Sequence, residues 1–530
     1  METSPHPPES ARQALDAADV LVTKIGGENA ADLAANAAIA DHRRATGKKQ
    51  ILAISALRSS DPRYSAYADE AAADRDKFGA VKPGFNATSH LIEMARRLQS
   101  GDLRSAESIL ERLRGFTREI VEANVGDDPS FERPTALARL SAVIDRKVNA
   151  LLAQLRNAQA GDVIALEKDW LLRTNLGYVS LTGFGEDLAQ AIYREYFQLR
   201  GLRAAEIRTD GLASVVFGDD PRSVLESERD VRGAVDTIRA KVRHQVDCLL
   251  PARDILVAGG YVPVLGGQRG YSDKTGALLA QAVSESGHRV AYLIEKQEPI
   301  RSADPRAVSG TRVVERMTPE LALEAFGSVH GADGGAIHPE ALAMLAHSGI
   351  DTFVLNPSDE SRGITRIAPF DPPPTGAEIV AARPMPVSLQ IRSTKMYGRP
   401  GFLETLTKWF SDRGISIDQV ATTEVTVSFT FTNGGVGAER IGEFEAFLRQ
   451  SIADDDLRLE AQRDRALLFC LGNNMDGLAP LARAVSALEG ARIPVHSLQR
   501  STREVITLIV DGDRARDGLR ALHEGCVEVD

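Results

Sequence analysis

Hydrophobic positions along the chain fall into three successive rhythms. VLVTKIGG (20–27) and QILAISA (50–56) are short apolar runs, the first ending on two glycines. Between them, ADLAANAAIADHRRA is alanine-rich and helical in character. Strand, glycine turn, helix, strand predicts the start of an α/β unit with a parallel sheet. From about 61 to 160 the period lengthens. SHLIEMARRLQ, SAESILERLRGFTREIVEA and LSAVIDRKVNALLAQLR carry apolar residues three and four apart, which predicts amphipathic helices forming a layer on the sheet. The α/β pattern resumes with VSLTGFG, a helix over about 186–200, DILVAGGYVPVLGG (254–267), TGALLAQAVSES and RVAYLI (289–294). It closes near DTFVLNP (351–357).

APFDPPPTGAE (368–378) is proline-dense and reads as a linker. Beyond it, VSLQIRS, GFLETLTKWFSDRG, SIDQVATTE, TVSFTFT and ERIGEFEAFLRQ spell strand, helix, strand, strand, helix. RALLFCLG, LAPLARAVSALEG, VHSLQRS, EVITLIVDG and RARDGLRALHEG repeat that order, which predicts two copies of one small α+β unit. The expected division is a disordered tail over 1–17, an α/β domain over 18–370 with a helical insertion at about 61–160, a linker over 371–384, and repeats over 385–455 and 456–530.

Charge and composition narrow the class. Among 530 residues, 63 Lys and Arg against 74 Asp and Glu leave −11, which argues against a nucleic-acid partner. Cys248, Cys470 and Cys526 are far apart, have no zinc spacing and form no disulfide framework, as expected for a reducing cytoplasm. The amino terminus lacks a basic segment followed by an apolar one, and nowhere do about 18 uncharged apolar residues run together. Neither a secretory signal nor a membrane span is expected.

Five segments carry candidate chemistry. Lys24-Ile25-Gly26-Gly27 follows a strand; glycines there let a backbone approach phosphate, and a lysine can neutralise transferring charge. It can equally be a structural turn, and no Walker A loop occurs in the chain. Glu186 in GFGE could cap a helix or receive a substrate ammonium group. In QRGYSD, Ser272 and Asp273 suit N-cap positions, and Arg269 could clamp a carboxylate in bidentate geometry. Glu295-Lys296 and Ser302-Ala303-Asp304-Pro305-Arg306 follow a strand, and His338 before Pro339 reads as a turn residue.

In this order the motifs resemble the aspartate kinases of the amino-acid kinase family. The family's K-F-G-G-T-S stands here as KIGGEN, its V-S-A as Ile54-Ser55-Ala56, and its G-E as Gly185-Glu186. G-R-G-(G/Y)-(S/T)-D stands as QRGYSD, T-A-D-P-R as SADPR and V-L-H-P as AIHP. KMYGRPGFL and GISIDQVATTEVTVSFTF resemble the first of a pair of ACT domains. KIGG, RGYS and Lys296 before SADP further resemble the specialised aspartokinases of ectoine biosynthesis, and fungal members share the RGY form.

The resemblance implies an amino-acid kinase fold, a mostly parallel sheet between helical layers, followed by two ferredoxin-like ACT domains. It implies phosphorylation of L-aspartate by ATP with Mg2+, the metal held by no protein side chain. By matching positions, Lys24, Gly26, Gly27 and Asp273 would be catalytic. Ser55, Glu186, Arg269, Ser272 and Asn29 would bind substrate; Lys24, Lys296, Ser302, Asp304 and Arg306 would bind nucleotide. Gly401, Phe402, Leu403 and Asp418 would lie near an amino-acid effector, in a homodimer or higher homo-oligomer.

Departures from the pattern keep alternatives open: a kinase for a different carboxylate, or a catalytically weak regulatory paralogue. Glu28-Asn29 replaces Thr-Ser, and a like charge within about 4 Å of an anionic reactant costs several kcal/mol unless paired or turned away. A loop before QRGYSD is shortened, Gln297-Glu298-Pro299-Ile300 replaces D-V-D-G, and ADGG (332–335) lacks the lysine of FGAK.

Overall fold

The structure, a computed structural model, describes residues 10–74, 81–158, 163–166, 169–174, 177–208, 228–262, 271–330, 337–370, 376–431, 436–452, 454, 456–500 and 502–527. The chain forms two compact units, Met1–Pro299 with Ala336–Pro369, and Ile300–Gly335 with Phe370–Asp530.

In the first unit, β1 (Val20–Ile25), β2 (Lys49–Ile54), β3 (Ala204–Ile207), β4 (Ile255–Gly259), β5 (Val290–Glu295), β6 (Asp351–Leu355) and β7 (Ile364–Ile367) lie in the order β7-β6-β5-β1-β2-β4-β3. All neighbours are parallel except β6 and β7. Continuous apolar runs such as Ile255–Gly259 are buried throughout, as strands covered on both faces require. Side-chain caps fix the helix starts: Asp32 accepts from the Ala35 N–H at 3.0 Å, Asn86 caps Ala87–Gln99, and Asp102 caps Leu103–Asp127. Those two helices and Arg133–Asn157 form the helical layer. Their apolar faces join Leu52 and Ile54 of the sheet, and Leu188, Ile192 and Tyr196 of the helix Phe184–Leu199, in one continuous core.

The second unit is built on a six-stranded antiparallel sheet. Its long strands β8 (Ile379–Arg392) and β9 (Arg458–Leu471) pair from Ile379↔Leu471 to Arg392↔Arg458. The later half of β8 borders Thr426–Phe431, and the later half of β9 borders Val505–Asp511. Helices Phe402–Ser411 and Ala438–Ser451 cover one apolar core, with Phe410, Phe429 and Phe444 fully buried. Leu478–Gly490 and Ala515–Leu522 cover another, around Leu468, Cys470 and Leu508.

Three sequence-based boundaries differ from this arrangement. Residues 11–17 of the expected tail are a helix. Ser10 and Gln13 form a reciprocal capping box, and Leu15 is buried against Leu21, Leu293 and Phe353. The expected linker contributes Ile379–Pro384 to β8, whose early half pairs with Leu471–Ala466, so the first repeat is nested within the strands of the second. Segment 300–330 packs with the second unit, because Ala303 and Val308 belong to its core. Residues 1–9, 331–336 and 371–375, including ADGG, lie outside the described residues.

Candidate functional site

Lys24 is the penultimate residue of β1, in register with Ala53 of β2 and Ile294 of β5. The chain then turns at Gly26 into the short helix Gly27–Ala30. A Cβ on Gly27 would stand 2.9 Å from the Ala56 carbonyl oxygen and 3.1 Å from Arg58 Cβ, so glycine lets the segment after β2 lie against this turn. Asp273 enters from the first turn of Tyr271–Glu285, with Oδ1 3.2 Å from Lys24 Nζ. Its Oδ2 accepts from the His338 N–H at 2.9 Å. A cavity of about 300 Å³ opens here, lined in part by Lys24, Gly27, Glu28, Arg58, Asp273 and Lys296.

The cavity mixes cations and carboxylates that hold one another in place. Buried Arg43 donates to Glu295 Oε1 at 2.8 Å and to Thr23 Oγ1 at 3.3 Å, tying together the residues that precede Lys296 and Lys24. Lys296 keeps solvent-accessible surface, yet packing around its ammonium group and the charge of Lys24 push its pKa below the ordinary lysine value, with Asp273 opposing. Glu28 is paired. Its Oε1 lies 3.4 Å from Arg58 Nε, its Oε2 accepts from the Ser60 N–H at 3.2 Å, and Arg58 Nη2 lies 3.6 Å from Asp74 Oδ2.

The other residues singled out by sequence are placed as follows. Asn29 lines the same cavity. Ser55 donates to Ser272 Oγ at 2.9 Å, joining the end of β2 to the helix that carries Asp273. That helix begins at Tyr271, so Ser272 and Asp273 sit within its first turn and not at its cap. Glu186 is buried in the first turn of Phe184–Leu199, with Cβ 3.5 Å from where a Cβ on Gly259 would lie. His338 caps Pro339–His347, its Nδ1 accepting from the Glu340 N–H at 3.2 Å. Burial and Lys274 push its pKa down, which suits an accepting neutral ring. Arg269 lies outside the described residues.

Ser302, Asp304 and Arg306 fall in the second unit. The buried Ser302 hydroxyl is engaged by His523 Nε2 at 2.9 Å and the Arg312 N–H at 3.0 Å. Asp304 and Arg306 form a local bidentate pair, with Arg306 Nη2 2.9 Å from Asp304 Oδ2 and Nε 3.0 Å from Oδ1. Of the effector candidates, Gly401 takes φ 78° and borders a cavity of about 510 Å³ beside Lys408, Trp409 and Arg413. Phe402 is buried in the first lobe's core, Leu403 is exposed, and Asp418 Oδ1 is 3.3 Å from Arg383 Nη2.

Sequence reasoning passed over Arg43, Arg58 and the backbone of His338. An arginine inside an alanine-rich helix was a usable signal for Arg43, since a guanidinium on an otherwise apolar face needs a buried partner. Nothing local marks Arg58.

A lysine strand end, a close glycine turn, and an aspartate and second lysine facing them define an α/β protein whose strand ends form a pocket suited to anionic groups. The amino acid kinase family model matches residues 19–356, and the chain belongs to that family. Aspartokinase 2, chloroplastic, of Arabidopsis thaliana is 25% identical over 385 residues, covering 69% of this chain and 66% of the relative. Lysine-sensitive aspartokinase 3 of Escherichia coli (strain K12) is 26% identical over 264 residues, covering 49% and 56%. These alignments span less than two thirds of the relatives' length. The crystal structure of E. coli aspartokinase III in complex with aspartate and ADP shares the fold. Its TM-score is 0.57 at 19% identity, over 96% of this chain and 99% of that one.

Proposed function

We propose that the protein is an aspartate kinase, transferring the γ-phosphoryl group of ATP to the side-chain carboxylate of L-aspartate. A carboxylate oxygen forms the new bond to the γ-phosphorus, the bond from that phosphorus to the β–γ bridging oxygen breaks, and ADP leaves. The acceptor carboxylate, with pKa about 4, is already ionised near neutral pH, so no general base is needed. Catalysis reduces to alignment and charge neutralisation. The observation that carries this reading is the Lys24–Asp273 contact beside the Gly26-Gly27 turn.

In this reading Asp273 and the His338 N–H hold Lys24 toward the transferring group. Gly26 and Gly27 supply backbone donors, and Lys296 neutralises nucleotide phosphate. Ser55, Ser272, Asn29, Glu186 and Arg269 serve the amino acid. Mg2+ would enter with ATP at the cavity lined by Lys24, Asp273 and Lys296. When bound it supplies further neutralisation of phosphate charge.

The aspartate-and-ADP complex of the structural neighbour supports the substrate pair. The test is trapping of the acyl phosphate with hydroxylamine, given ATP, magnesium and a panel of carboxylic acids. Aspartyl hydroxamate is expected; product with another acid only, or none from folded protein, overturns the reading. We further infer an amino-acid effector near Gly401, Phe402, Leu403 and Asp418 in a homodimer, supported by the lysine sensitivity named for the E. coli relative. Lysine and related amino acids should change rate or thermal midpoint.

A further inference from the structure

The segment after β2 brings a third cation to the cavity. Arg58 lines it with Lys24 and Lys296, and the absence of a side chain at Gly27 is what lets Arg58 approach the turn. Arg58 is paired with two carboxylates at 3.4 and 3.6 Å, Glu28 and Asp74, and Glu28 is itself anchored on the Ser60 N–H. Both separations exceed those of charge-assisted hydrogen bonds, which run about 2.7–2.9 Å. The guanidinium therefore retains directed donors for another planar or tetrahedral anion. Glu28 fits as its holder: an acid facing an anionic reactant would oppose binding, whereas one turned to Arg58 and Ser60 orients a cation.

We propose that Arg58 is an anion-binding, specificity-determining residue of this pocket, positioned by Glu28, which contacts an anionic oxygen of the acceptor or of the nucleotide phosphates. The inference deepens the kinase reading and rests on it for the identity of the two ligands. Arg58 meets the ligand directly and Glu28 acts through it.

Binding measurements that need no turnover keep the two claims separable. ATP affinity and L-aspartate affinity would be measured calorimetrically on the full chain carrying Arg58→Ala, Arg58→Lys or Glu28→Gln, alongside thermal midpoints. Loss of a charged hydrogen-bonded contact should weaken one ligand by roughly tenfold or more in Arg58→Ala. Weaker ATP binding assigns Arg58 to phosphate, and weaker aspartate binding assigns it to the carboxylate. Arg58→Lys should recover only part of the loss, because a point charge lacks the planar fork. Glu28→Gln, which keeps an oxygen for the Ser60 N–H but removes the charge that orients Arg58, should weaken the same ligand by a smaller factor than Arg58→Ala and leave the other ligand's affinity unchanged. The proposal is overturned if folded Arg58→Ala binds both ligands as the parent does. It is also overturned if Arg58→Ala and Glu28→Gln lower affinity and midpoint equally, which is what a structural ion pair would give. If the parent binds ATP but phosphorylates no carboxylic acid, the kinase reading fails while the ATP arm still tests Arg58.

Discussion

Lys24 Nζ and Asp273 Oδ1 stand 3.2 Å apart, the lysine from a strand end and the aspartate from the first turn of a helix. The other oxygen of Asp273 takes the His338 N–H, so a distant turn fixes the carboxylate that fixes the lysine. Removing the lysine tests its proposed role. Lys24→Ala should lower phosphoryl transfer by roughly a hundred- to thousandfold or more, the size of effect seen when a charge-stabilising group is lost. Hydroxamate formation measures it, with circular dichroism confirming the fold. Near-normal turnover would remove Lys24 from the mechanism.

The two glycines of the turn should respond differently. Gly27→Ala places a methyl 2.9 Å from the Ala56 oxygen, against backbone that cannot yield cheaply. It should lower stability by about 1–3 kcal/mol and impair ATP binding. Gly26 has φ −72°, and a Cβ there meets Lys24 Nζ at an ordinary 3.6 Å. Gly26→Ala should keep the thermal midpoint and alter kcat alone. Equal midpoint losses would contradict the packing argument.

Lys296 gives a pH dependence. Its folded-state pKa lies below 10.5 through burial and Lys24, so between the two values the unfolded chain binds more protons. Its contribution to stability therefore rises with pH through that alkaline window. Bound phosphate favours the charged form, so ATP binding should take up protons there and weaken as pH rises. Calorimetry in buffers of different ionisation enthalpy measures the uptake. Lys296→Arg should flatten the profile, and an unchanged profile would locate the titration elsewhere.

Asp273→Asn keeps the size of the side chain and a carbonyl oxygen for the His338 N–H but removes the charge that opposes the lowering at Lys296. The alkaline weakening of ATP binding should then begin at lower pH than in the parent. A shift to higher pH would show that Asp273 does not act on Lys296 electrostatically.

In the second unit, Ser302 and His523 are buried partners at 2.9 Å. Ser302→Ala leaves the imidazole and the Arg312 N–H without that hydroxyl, and should cost about 1–3 kcal/mol in denaturant unfolding. No loss of stability would mean the hydroxyl is replaceable by water.

Local chemistry made much of this protein legible from the chain. Short apolar runs, two of them closed by glycines, predicted β1, β2, β4 and β5, and three- and four-residue spacing predicted the helical layer, because period and turn propensity act within a few residues. Lys24, Gly27, Asn29, Asp273 and Lys296 were singled out by sequence and line one cavity. The partners of these groups were not legible. Arg58 beside Glu28, Arg43 beneath both lysine-bearing strand ends, and the His338 N–H on Asp273 are pairings between remote segments. No spacing rule encodes them. Cys470 and Cys526, far apart in the sequence, join the same core of the second lobe.

The repeats show the same division. Their strand–helix–strand–strand–helix order is written in the periodicity, since each element follows from its own residues. Whether the copies stand side by side or nested depends on how β8 divides its hydrogen bonds, early half to one lobe and later half to the other. A strand's propensity fixes that it will pair and which faces it buries. The choice of neighbour belongs to the packing of the whole unit, as does the use of Glu28 to hold a cation.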